Sequence, residues 1–177
     1  MTQKKNRLGN MISKRVAMKT FQIRPVKKGD NGWVVSLLRE YWGSAKMVTR
    51  GKVYQVDELP GFAAVQDDKP VGLVTYRIKD DQCEITTLNS LVEKARIGTA
   101  LIDAVKDVAT IAHCKRLWLI TTNDNIAALR FYQKRGFLLV AVYRNALEHS
   151  RRLKPEIPLV GIDGIPLRDE IELELLL

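Results

Sequence analysis

A short pattern in the second half of the chain gives the most specific indication of chemistry. Asn125, Ala128 and Tyr132 fall within about two turns of a predicted helix. Their spacing of seven residues returns Asn125 and Tyr132 to one helix face. The small side chain of Ala128 leaves room for a ligand lying across that face. The pattern therefore predicts a ligand-binding stripe, whereas the simpler interpretation makes Tyr132 a core residue and Asn125 a helix cap.

A second pattern lies at the start of a long predicted helix. Gly98, Thr99 and Ala100 follow a strand and a loop. Unpaired N–H groups and the dipole at a helix N-terminus favour an anion, and small residues let it approach the backbone closely. Phosphate binding is the chemistry that this arrangement suits. Small residues are also common in ordinary strand-to-helix turns, so this pattern alone is weak.

Hydrophobic periodicity predicts the elements that position these residues. Segment 43–60 has no clear period, and we interpret it as a short helix and a loop over a site. The element order β-α-βββ-α-β-α-β-β predicts a mixed α/β domain. The predicted helices are 32–41, 97–113 and 125–135, and the predicted strands are 21–26, 61–66, 71–78, 83–88, 116–121, 138–143 and 171–177.

Composition and charge limit the class of protein. The chain has 177 residues, 46% hydrophobic and 28% charged, which fits one globular domain with no apolar run long enough to cross a bilayer. With no secretory signal, a cytoplasmic location is expected. Of the net charge of +9, five positive charges lie in the first 17 residues, with no acidic residue before Asp30. Residues 1–17 are thus predicted to be a flexible basic extension and 18–177 the domain, which argues against a nucleic-acid-binding protein.

Cysteine and histidine usage predicts neither a disulfide framework nor a metal site. Cys83 and Cys114 lie in apolar segments, where free cysteines usually behave as small core residues. His113 and His149 are far apart and match no ligand spacing.

Two of these segments resemble motifs of a known protein family. The pattern Asn125-x-x-Ala128-x-x-x-Tyr132, followed by Gly136-Phe137, resembles the second cofactor motif of the GNAT N-acetyltransferases, and Ile97 to Leu101 resembles the end of their phosphate loop. The resemblance spans about residues 20–177. It implies the GNAT fold, a central, mainly antiparallel mixed sheet flanked by helices. The long Pro- and Gly-containing segment 145–170 is similar to the tail of one group of GNAT-like proteins, and long connections of this kind are often functional.

The resemblance also implies the reaction and the residues that perform it. Acetyl-CoA is the expected acyl donor, and a primary amine is the acceptor that attacks the thioester directly. Tyr132 is the expected proton donor to the leaving thiolate. Glu84 is the expected general base, acting through water, because it precedes the binding edge on the same strand. The alternatives are that Glu84 forms an ion pair with a neighbouring Lys or Arg, and that a water chain serves in place of a base. The expected acetyl-CoA-binding residues are Thr87, Leu88 and Asn89 on the strand, Glu93, Lys94, Ala95, Arg96, Ile97, Gly98, Thr99 and Ala100 in the phosphate loop, and Asn125 and Ala128 on the following helix.

The phosphate loop departs from the family pattern. Segment 93–98 keeps only its last glycine, Gly98. If position 96 requires a positive φ, Arg96 is strained by about 1 kcal/mol. Lys94 and Arg96 in turn add positive charge where a pyrophosphate would lie. This departure favours the alternative function, a non-catalytic module that binds acyl-CoA. A homodimer is compatible with either function.

Overall fold

The computed structural model describes residues 20–93 and 95–177, and these fold around one seven-stranded sheet and a separate hairpin. The predicted basic extension, 1–17, and Lys94 lie outside the described residues. The strands are β1 (Gln22–Pro25), β2 (Lys46–Thr49), β3 (Lys52–Gln55), β4 (Gly61–Gln66), β5 (Lys69–Lys79), β6 (Gln82–Ser90), β7 (Arg116–Thr122), β8 (Leu138–Tyr143) and β9 (Glu170–Leu176), and the helices are α1 (Asn31–Trp42), α2 (Ile97–Ile111), α3 (Ile126–Gln133) and α4 (Ala146–Leu153).

The large sheet has the order β1-β4-β5-β6-β7-β9-β8. Its neighbouring strands pair antiparallel, except that β6 and β7 pair parallel across the crossover through α2. The sequence-based expectation of a mixed, mainly antiparallel α/β fold is therefore confirmed.

Helices α2 and α3 cover one face of the sheet. The apolar stripe of α2 packs on the inward side chains of β6, β7 and β9, and α3 adds Tyr132 to the same core. Cys83 and Cys114 are buried here as free thiols, as predicted. The predicted period of α2 was right because its apolar residues recur every three or four positions.

The opposite face is covered by α1 and by the β2–β3 hairpin, around a smaller core that contains Leu38, Val56 and Leu73. The prediction of a short helix in segment 43–60 is wrong. The segment forms this hairpin, followed by one 3₁₀ turn at Val56–Glu58. Its two-residue turn, Arg50 and Gly51, has positive φ at both positions, as a type I′ turn requires.

The long segment before β9 contains one more helix, α4, which contacts β2. This places α4 on the same face as α1 and the hairpin. No helix among the described residues is long and apolar enough to span a bilayer.

Candidate active site

The sheet opens at its centre, where β6 and β7 diverge. Their parallel pairing ends at Ile85 and Leu119, although β6 continues to Ser90 and β7 to Thr122. A cleft of about 860 Å³ occupies the wedge between them. Beyond Ile85, the side of β6 that faces away from β5 is thus free to pair with an extended ligand.

A β-bulge in β6 accompanies this divergence. Thr75 of β5 is opposite Thr87, and the next residue, Tyr76, is opposite Ile85, so Thr86 is the extra residue. The Thr75 hydroxyl bonds to the hydroxyls of Thr86 at 2.7 Å and Thr87 at 2.6 Å, which fixes the bulge. A bulge bends the strand that contains it, and this one lies where β6 leaves β7.

The predicted stripe on α3 faces this cleft. Asn125, Ala128 and Tyr132 all line it. Asn125 also caps α3, because its Oδ1 accepts a hydrogen bond from the Ala128 N–H at 3.0 Å. Tyr132 is 7% exposed, and burial raises its pKa above the ordinary value of 10.0. The phenol therefore stays protonated at neutral pH.

The predicted phosphate loop leads into the N-terminus of α2. Arg96, the N-cap, has a φ of 61° and makes no side-chain cap, so the condition for backbone strain is met. The first intrahelical bond at this end runs from the Ala100 N–H to the Arg96 carbonyl at 3.1 Å. The N–H groups of the preceding turn, including that of Gly98, precede the first i−4 acceptor and can bind an anion.

Arg135 is a residue at this loop that the sequence analysis missed. Its guanidinium donates to the Thr99 hydroxyl at 2.9 and 2.5 Å and to the Phe131 carbonyl at 2.7 Å. It also stacks on the Phe131 ring, 3.5 Å from the ring centre. Gly98 lies so close that an added Cβ would be 3.0 Å from Phe131. Arg135 thus joins α3 to the start of α2 and supplies a cation there.

The cleft extends to the opposite face of the sheet. There it is lined by Trp42 at the end of α1, Met47 of β2 and Leu147 of α4. The Asn89 side chain on β6 accepts a hydrogen bond from the Trp42 indole N–H at 3.1 Å. The divergent strands therefore lie between a chamber beside α3 and a chamber beside α1 and α4.

Glu84 does not line this cleft. It lies in a separate cavity of about 250 Å³ beneath the β2–β3 hairpin, together with Arg77 and Tyr54. The Arg77 Nε donates to its carboxylate at 2.6 Å. Burial nevertheless raises the pKa of Glu84 above its ordinary value of 4.5. The alternative expectation, an ion-paired strand glutamate, describes the observed contact.

Comparisons with known proteins agree with this geometry. The sequence model of the GNAT acetyltransferase family matches residues 33–137. The chain belongs to the GNAT acetyltransferase family. Two similar Bacillus subtilis proteins are the uncharacterized protein YdhI, 50% identical over 133 residues (75% of this chain and 83% of that protein), and the uncharacterized protein YxbD, 45% identical over 139 residues (78% and 87%).

Solved structures share the GNAT fold at low sequence identity. An IAA acetyltransferase from Bacillus cereus has a TM-score of 0.68 at 18% identity, covering 89% of this chain and 100% of that one. A Bacillus subtilis acetyltransferase in complex with CoA has a TM-score of 0.65 at 18% identity, covering 89% and 99%. A GNAT acetyltransferase from Elizabethkingia anophelis with acetyl-CoA bound has a TM-score of 0.65 at 20% identity, covering 89% and 98%.

The structure brings most of the predicted site residues together. Six of them line the large cleft: Thr87, Leu88, Asn89, Asn125, Ala128 and Tyr132. The loop residues from Ala95 to Ala100 lie at the start of α2 beside α3, and Glu93 is exposed. Besides Arg135, the prediction missed Trp42 and Asp124, which line the cleft from distant parts of the chain.

Proposed function

We propose that this protein transfers the acetyl group of acetyl-CoA to a primary amine by direct attack of the amine on the thioester. The observation that carries the proposal is the wedge between β6 and β7, which has a buried phenol, Tyr132, on one wall. CoA or acetyl-CoA is bound in two of the similar GNAT structures. In this chain, the open edge of β6 would pair with the pantetheine arm at Thr87, Leu88 and Asn89.

The positive charge around the start of α2 supports pyrophosphate binding. The free N–H groups from Ile97 to Thr99 favour an anion, and Arg135 lies against the Thr99 hydroxyl. Arg96 adds a second cation at the N-cap. These two side chains offset the loss of the glycines of the family loop.

The chemistry requires one bond to form and one to break. The amine nitrogen bonds to the acetyl carbon, the carbon–sulfur bond breaks, and the sulfur takes the proton of Tyr132 while the new ammonium loses one. A backbone N–H near Leu88 or Asn89 would hold the carbonyl oxygen. Burial raises the pKa of the phenol, and the same apolar surroundings destabilise a thiolate and so raise the pKa of its thiol. The two pKa values therefore stay close, and the phenol can donate its proton to the sulfur.

Glu84 remains the proposed general base, acting through water. Two observations support it: its raised pKa, and its position beneath the β2–β3 hairpin, directly before the last residue of β6 that pairs with β7. Because Glu84 occupies its own cavity and is paired with Arg77, any proton must reach it by relay.

The test is acetyl-CoA binding followed by turnover. A thermal shift with millimolar acetyl-CoA should raise the melting temperature, since a ligand at 100 times its Kd adds about 2.7 kcal/mol. Thiol release across a panel of amines should then identify an acceptor. Binding without transfer to any amine would instead favour a non-catalytic acyl-CoA-binding module, the alternative that the strained Arg96 loop supports.

A further inference from the structure

We propose that the acceptor is a small-molecule amine with a compact apolar body, and that the chain excludes the N-termini of polypeptides. This inference rests on the proposed acetyl transfer. It comes from a reciprocal contact, named here the lysine clasp, in which Lys154 Nζ donates to the Trp42 carbonyl at 2.7 Å and Lys46 Nζ donates to the Leu153 carbonyl at 2.9 Å.

The clasp joins the ends of two helices across the chamber beside α1 and α4, which we call the acceptor chamber because the amine would bind there. Trp42 is the last residue of α1 and Leu153 the last residue of α4. The carbonyls of a last helical turn have no intrahelical partner, and the helix dipole favours a cation there. Each lysine follows one helix and binds a carbonyl at the end of the other, so the two bonds form when the two segments meet.

Lys154 is held in place by its surroundings. It is only 5% exposed, and burial lowers the pKa of its ammonium. A buried ammonium is costly unless it is hydrogen-bonded, so release of the Trp42 carbonyl is disfavoured. The Ser44 hydroxyl adds a weaker contact to Glu156 at 3.4 Å, next to the clasp.

The chain that follows the clasp, residues 154–162, forms a covering segment along the cleft. At its far end, the Ile162 N–H donates to the buried Asp124 carboxylate at 2.9 Å. Gly161 lies so close that an added Cβ would be 2.0 Å from that carboxylate. In between, the Arg151 guanidinium donates to the Pro158 carbonyl at 2.7 Å. The covering segment is thus fixed at its start, middle and end.

A polypeptide N-terminus with its extended backbone does not fit between the ends of α1 and α4. An extended chain needs about 5 Å in its hydrogen-bonding direction and about 10 Å across its side chains. Direct lysine–carbonyl bonds of 2.7 and 2.9 Å leave no such gap between α1 and α4. The remaining acceptor chamber is lined by Trp42, Met47, Ile157, Pro158 and Leu167, which suit an apolar body attached to the amine.

The first experiment compares two classes of acceptor with the wild-type protein. Benzylamine, phenethylamine and hexylamine represent small apolar amines, and pentapeptides with a free α-amine and no lysine represent polypeptide N-termini. Thiol release is measured for each, with acetyl-CoA affinity measured separately by calorimetry. We expect kcat/KM for the best small amine to exceed that of every peptide by about 100-fold or more.

The second experiment opens the clasp. Lys154→Met and Lys46→Met each remove one hydrogen bond while keeping an unbranched side chain, and Arg152→Met, an exposed position on α4, is the matched control. The ratio of peptide to small-amine kcat/KM should rise about tenfold in the clasp variants and stay unchanged in the control, with acetyl-CoA affinity kept in all three.

The outcomes separate this inference from the function on which it rests. Peptides used as well as small amines by the wild type would overturn the inference and support acetyl transfer. No transfer to either class would overturn the proposed function and the inference with it. An unchanged ratio in the folded clasp variants would overturn the role of the lysines, and if Lys154→Met does not fold, Lys46→Met gives the same readout.

Discussion

Replacing Tyr132 by Phe tests the proton donor directly. The change removes only the hydroxyl, and the ring keeps its edge-on contacts with Phe131 and Phe137, whose ring centres lie 5.2 and 5.4 Å away. Among the described residues, only burial and the charge of Arg135 shift the pKa of the phenol, with no contribution from a hydrogen bond. Folding should therefore change little.

Turnover should fall by about 10² to 10⁴-fold, the usual contribution of a positioned general acid, which corresponds to about 2.7 to 5.4 kcal/mol of transition-state stabilisation. Acetyl-CoA affinity should be nearly unchanged, because the hydroxyl acts on the sulfur only as the carbon–sulfur bond breaks. The assay is the single-turnover rate of thiol release, which isolates chemistry from product release.

Tyr76→Phe is the matched control for this prediction. Tyr76 stacks on Phe62 with ring centres 6.0 Å apart, in the same core but outside the cleft, so its loss of a hydroxyl should leave turnover unchanged. A wild-type single-turnover rate in folded Tyr132→Phe would refute the acid role. Loss of folding would instead show that the hydroxyl is structural.

Three further predictions concern Glu84, Arg96 and the extension. Glu84→Gln should remove the acidic limb of the kcat/KM pH profile if Glu84 is the base. Because the folded state raises the pKa of Glu84, the wild type loses stability as the pH rises above about 4.5, whereas the Gln variant does not, so the melting temperature of the variant relative to wild type should increase as the pH rises from that value. Arg96→Ala and Arg96→Gly should weaken acetyl-CoA binding equally. The melting temperature of Arg96→Gly should be about 2 to 4 °C above that of Arg96→Ala, because glycine relieves about 1 kcal/mol of strain at φ 61°. A lower melting temperature for Arg96→Gly would contradict the strain. Deleting residues 1–17 should leave acetyl transfer unchanged, as activity of the truncated protein would show.

The sequence predicted the large sheet because its strands and helices have strong local periods. The α2 stripe and the continuously apolar β7 were placed to within a residue or two. The β2–β3 hairpin was missed because each strand has only four residues, too few to establish alternation. Its turn, Arg50-Gly51, was the available indication, since Gly tolerates the positive φ that such turns require.

The tertiary contacts of Glu84 could not be predicted from the sequence pattern. Its place on the strand and a possible pairing with Lys or Arg were predicted, but the particular surroundings were not, because Arg77 reaches it from the neighbouring strand β5 and Tyr54 comes from the unpredicted hairpin. The Tyr54 ring stacks on the Arg77 guanidinium, 4.3 Å from the ring centre, and closes a cavity that no spacing in the sequence defines. Its role as base thus depends on a relay that variants of Glu84 must reveal.

The residues that build one chamber of the cleft could be predicted from the sequence, whereas those that close the other could not. The chamber beside α3, proposed to hold acetyl-CoA, is built by a strand, a loop and a helix close together in the chain, and its chemistry follows from local backbone geometry at β6, α2 and α3. The acceptor chamber is closed by contacts between Lys154 and Trp42, 112 residues apart, and between Lys46 and Leu153, 107 residues apart. Such contacts leave no periodic trace. Substitutions at the clasp should consequently alter which amine is used while acetyl-CoA binding is preserved.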